Sequence, residues 1–168
     1  MNRQAFKKFA LRDLALLMAT LLGWAAFAPL SAGQGILANF TGVTLGVAAG
    51  LCAWFAHEWG HVLAAWAAGS KLRAPNKLVS VYLFGFDNKR HSRGQFVAMS
   101  LGGFAATAGV YALIHFYLPQ DWLATRVVHG LVLLEIAVTL ALEVPGLLLG
   151  IFAYSKLPSV DVLGDERA

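Results

Sequence analysis

Charge and cysteine are what this chain has least of. Only 13% of its 168 residues are charged, about half the share of an average soluble domain. So few charges cannot cover a water-facing surface, which excludes an ordinary soluble globular protein. The single cysteine, Cys52, cannot form an internal disulfide, so a disulfide scaffold is excluded as well; inside an apolar run it reads as a small core residue. What fills the chain instead is apolar: 58% of residues are hydrophobic and the mean hydropathy is +0.64. That is the composition of an integral membrane protein, here a single domain over residues 1–168.

The apolar residues gather into four runs, 14–32, 36–68, 96–118 and 123–154. Each is near or above the roughly twenty residues that carry a helix across about 30 Å of hydrocarbon. The expected fold is all-α, with about four transmembrane helices. The second and fourth runs exceed one crossing, so tilt, a break or extension into water is expected there, with a kink at Pro145.

Charge orients the spans. Arg3, Lys7, Lys8 and Arg12 precede the first run, and Lys71, Arg73, Lys77, Lys89, Arg90 and Arg93 lie between the second and third. The opposite connections and their flanks offer only Asp121 and Arg126. By the excess of positive charge, both termini and residues 70–94 belong on the cytoplasmic side, in a plasma membrane of bacterial inner-membrane type. The basic start followed by an apolar run resembles a signal peptide, but the run is longer than a usual signal core and reads as a retained anchor. A net charge of +4 suits cytoplasmic lysines and arginines meeting an anionic leaflet, and no nucleic-acid partner is implied.

Against this background His57-Glu58-Trp59-Gly60-His61 stands out. Ionisable groups in an apolar span are costly unless they bind or react with something. The spacing H-E-x-x-H puts both imidazoles on one helix face, a turn apart, where they can share Zn²⁺, with Glu58 beside them as a general base. Counting back from Gly69 places His57 and His61 about 18 and 12 Å from the helix end at about 1.5 Å per residue, within the membrane and nearer the cytoplasm. Gly42, Gly46 and Gly50 form a doubled G-x-x-x-G, a flat strip that admits a neighbouring helix. Trp54, Trp59 and Trp66 read as packing or anchoring residues. Residues 77–88 are rich in β-branched and aromatic side chains and end in a turn signal, which predicts a short cytoplasmic strand or hairpin between the second and third helices. Its open edge would hold an extended peptide.

The order of these parts is a span with HEWGHVLAAWAAG, a basic segment with LVSVYLFGF, then a span opening QFVAMSLGGFAATAG. It resembles the core of the site-2 proteases, intramembrane zinc metalloproteases, over residues 50–112. The resemblance implies zinc as cofactor, a membrane-anchored protein as substrate, and cleavage close to the cytoplasmic face. It implies His57 and His61 as ligands and Glu58 as catalytic base. Where that family carries Asn after a glycine step, this chain has Gly102-Gly103 followed by Ala105, Ala106 and Thr107. Where the family's third ligand is Asp, this chain reads Leu142-Glu143-Val144-Pro145-Gly146. Glu143 is the first candidate for that place, about 20 Å from the end of the fourth span at Lys156 and close to the histidines in depth. Asp161, in a Pro-x-x-Asp spacing, is the rival, and a degenerate site with neither is the third possibility. Of the remaining groups, Glu135 needs a partner on another helix, His115 and His129 fall at the outer interface, and His91 is expected in water. Two other classes fit the same residues: an inactive protease-like subunit that assembles with a membrane partner, and an intramembrane protein that handles a metal or protons.

Overall fold

The computed structural model describes residues 3–75 and 83–157. Four helices account for most of it: α1 (Arg3–Phe27), α2 (Ile36–Ala67), α3 (Arg93–Tyr117) and α4 (Leu123–Phe152), with single 3-10 turns at Ala28–Ala32 and Tyr154–Lys156. All four are long and apolar enough to cross a membrane, with mean hydropathies of 1.7 to 2.1 over their spans. Large side chains such as Leu37, Phe40, Phe116 and Leu142 are exposed along them, which is compatible with contact to lipid rather than water. The chain is a helical membrane protein.

Helix α2 is the axis of the fold; it meets α1, α3 and α4, and α3 and α4 also meet each other. The glycine strip explains one of these contacts. Gly42, Gly46 and Gly50 face Leu123, Val127 and Leu131 of α4, and a Cβ on Gly46 would stand 2.5 Å from that of Val127. A second close approach joins α2 to α3, where Gly60 and Gly102 lie backbone to backbone and a Cβ on Gly103 would run into the His61 ring. Small residues thus let three helices close around the polar centre. Apolar clusters bracket that centre, one around Phe9, Val62, Leu72, Leu83 and Met99, the other around Ala53, Val128 and Val132.

The long second run is one unbroken helix of 32 residues, so the extra length is not a break. It stops where the sequence allows it to. Gly69 takes φ +75°, and its amide and that of Ser70 return to the carbonyls of Trp66 and Ala65 at 2.9 and 2.8 Å, a Schellman ending. Helix α3 starts with a reciprocal cap between Ser92 and Gln95, and the Gln95 side chain also reaches the Ala68 carbonyl of α2 at 3.1 Å. Helix α4 continues through Pro145, which has no N–H to offer the carbonyl of Ala141.

Helix α1 starts at Arg3, ahead of the apolar run that begins at residue 14; within it Arg12 pairs with Asp13 at 2.7 Å, and Asp13 accepts the Trp59 indole N–H at 2.9 Å. The expected strand is not found: among the described residues there is no strand, only an isolated antiparallel bridge between Arg73 and Gly85, and residues 76–82 lie outside the described part. The ladder fails for a local reason. Its next pair would be Pro75 with Leu83, but proline has no amide proton and the Leu83 amide donates to Glu58 at 3.1 Å. On the other side the Lys71 amide donates to His91 at 2.9 Å. His91, in the loop and partly exposed, also stacks on Phe86 with ring centres 4.5 Å apart and holds the Asp87 carbonyl at 2.7 Å.

Candidate metal centre

Helical periodicity brings His57 and His61 to the same face of α2, and α4 supplies Glu143 opposite them. The Nε2 atoms of His57 and His61 are 2.9 Å apart. Glu143 reaches His57 Nε2 with Oε1 at 3.0 Å and His61 Nε2 with Oε2 at 3.3 Å. The two imidazoles are 0% and 6% exposed, whereas the Glu143 side chain, on the cavity side, is 33% exposed.

The outer nitrogens settle which way the protons point. His61 Nδ1 lies 2.8 Å from the Met99 carbonyl, which can only accept, so Nδ1 carries the proton. His57 Nδ1 lies 2.8 Å from Thr107 Oγ1, and the Thr107 hydroxyl donates to Glu135 Oε1 at 3.0 Å. With its own proton committed to the carboxylate, the Thr107 oxygen accepts from His57 Nδ1–H. In the neutral rings both Nε2 atoms therefore turn lone pairs inward, toward each other and toward a carboxylate. Three electron-pair donors this close repel one another unless a proton or a metal cation lies among them.

The chemistry of the donor set fits zinc. Two imidazoles and one carboxylate are a recognised catalytic zinc set, and bonds of about 2.0–2.2 Å in a tetrahedron separate ligand atoms by about 3.3–3.6 Å. One ligand atom from each of His57, His61 and Glu143 lies within 4.8 Å of the others, near enough for a single ion to bind all three after a modest adjustment. The outward hydrogen bonds are those expected to fix ring orientation and raise ligand basicity.

Glu58, the neighbour of His57, is 5% exposed and holds the Leu83 amide with Oε2. It shares with His61 and Glu143 the wall of a cavity of about 530 Å³. The structure therefore brings together His57, Glu58, His61 and Glu143. It sets Glu135 behind His57 through Thr107, a pairing that residue spacing does not disclose; the available signal was that both are polar residues in apolar spans. Asp161 lies outside the described residues. His115 and His129 stand apart from the centre, ring to ring at 5.7 Å with Tyr111 beside both.

These features define a class: an all-helical membrane protein with a His-His-Glu cluster, its histidines buried and its glutamate partly exposed, able to hold a metal ion. No family model, no curated protein and no solved structure matches the chain.

Proposed function

We propose that the protein is an intramembrane zinc metalloprotease that cleaves a membrane-anchored protein near the cytoplasmic face. The observation that carries the reading is the convergence of His57 Nε2, His61 Nε2 and a Glu143 oxygen, while the Nδ1 atoms of both rings are taken up by outward partners, Thr107 and the Met99 carbonyl. Glu58 supports it by lying on the same cavity wall.

His57, His61 and Glu143 would hold the ion. When bound, zinc supplies Lewis acidity, lowering the pKa of water and offsetting negative charge on a carbonyl oxygen. Glu58 accepts a proton from the attacking water and returns it to the leaving amine. The Leu83 amide positions the Glu58 carboxylate for that exchange. Met99 and the Thr107–Glu135 pair keep the histidines from rotating away, so the ligands need no rearrangement. The chain's own basic segments, by their cytoplasmic placement, set which end of a substrate reaches the centre.

The experiment is zinc analysis beside a cleavage assay on protein purified in mild detergent. Wild type is expected to carry near-stoichiometric zinc, and His57→Ala, His61→Ala and Glu143→Ala to lose it. Glu58→Gln is expected to keep zinc and lose cleavage. A reconstituted wild type without zinc would end the protease reading, and a Glu58→Gln variant that still cleaves would remove the base from it.

A further inference from the structure

The cavity beside the metal centre has a chemistry of its own. Its volume of about 530 Å³ falls within the roughly 300–1,000 Å³ of pockets that enclose organic ligands. Glu58, His61, Asn88, Ser100 and Glu143 are its polar residues, while Phe84, Phe86, Phe96, Met99, Leu149 and Leu157 make most of the remaining wall. No lysine or arginine lines it among the described residues. Gly146 completes the wall, and a Cβ added there would meet nothing within 4 Å. The space therefore extends to the backbone of α4 because that position has no side chain.

We infer that this cavity is a specificity pocket for a large apolar side chain, aromatic or long aliphatic, next to the bond presented to the metal centre, and that it rejects acidic side chains. The inference rests on the metalloprotease reading. Three phenylalanine rings and a thioether offer edge and face contacts to an aromatic group. An acidic side chain would leave water for a space that already holds two carboxylates and, among the described residues, no lysine or arginine to pair with. The wall does not have to assemble around the ligand. Its Phe86 is stacked on His91, and the Tyr154 hydroxyl ties the same segment to the end of α4 through the carbonyls of Asn88 and His91, at 3.0 and 2.7 Å. Gly146 is then the position that sets the pocket's size.

The test is binding, so that turnover is not required. Zinc content is measured on the purified protein in micelles, together with the affinity of three peptide hydroxamates that differ only in one side chain: benzyl, methyl or carboxymethyl. The expected result is that benzyl binds about tenfold or more tighter than methyl, and that carboxymethyl binds worst. Gly146→Leu is expected to bring the benzyl-to-methyl ratio toward unity with zinc content unchanged, and Gly146→Ala to lie between, which keeps the test alive if the leucine variant does not fold. A zinc-loaded wild type that treats benzyl and methyl alike, or Gly146 variants that keep the full ratio, would overturn the pocket assignment alone. Wild type that takes up no zinc would overturn the metal reading and this inference with it.

Discussion

Side-chain protons are the scale at which this centre is decided. His57, Glu58 and His61 are legible in the sequence because one helical turn separates the histidines whatever the tertiary fold. Glu143 is legible by depth alone, since two spans crossing the same bilayer bring residues at equal depth within reach. Thr107 is different: its importance lies in a hydroxyl that accepts from His57 and donates to Glu135, and its place after the Gly102-Gly103 step does not disclose those partners. Thr107→Val is expected to weaken zinc affinity about 10- to 100-fold, the usual cost of losing a partner behind a ligand, with Thr107→Ser restoring it. Competition with a chromophoric chelator measures both. An unchanged affinity in the valine variant would mean that the ring is held by packing instead.

Helix contacts carry the next level. Glycines at 42, 46 and 50 announce that some helix comes close; that it is α4, through Leu123, Val127 and Leu131, depends on the assembled fold. Gly103 is the more consequential position because the His61 ring occupies the place of its missing side chain. Gly103→Ala is expected to destabilise the protein by about 1–3 kcal/mol, as overpacking generally does, and to displace His61 and weaken zinc. Gly109→Ala on the same helix, where a Cβ meets nothing within 4 Å, is expected to stay within about 0.5 kcal/mol of wild type. Unfolding in mixed micelles compares the two. The segment after α2 shows the opposite lesson. Its β-rich composition predicted a strand, yet the Leu83 and Lys71 amides were claimed by Glu58 and His91, and Pro75 had none to give.

Over the whole molecule, hydropathy gives four helices long and apolar enough to cross a membrane, and the placement of basic residues leads us to propose that both ends face the cytoplasm. The orientation is testable with Cys52 as the starting point, since it is the sole cysteine. In a Cys52→Ala background, Gln120→Cys is expected to react with a membrane-impermeant maleimide on intact spheroplasts, and Lys89→Cys only after the membrane is opened. The reverse pattern would put the metal centre near the outer face and remove the cytoplasmic cleavage site from the proposal.

By itself the sequence determined the membrane class, the four helices and the H-E-x-x-H face, because hydropathy and helical period are properties of neighbouring residues. Tertiary structure alone decided that Glu143 meets both imidazoles, that Thr107 and the Met99 carbonyl hold the outer nitrogens of the two rings, and that Phe84, Phe86 and Asn88 line a cavity beside them. Those outcomes join groups far apart in the chain. They depend on how closely glycines let α3 and α4 approach α2, and on which acceptor each amide and hydroxyl finds there.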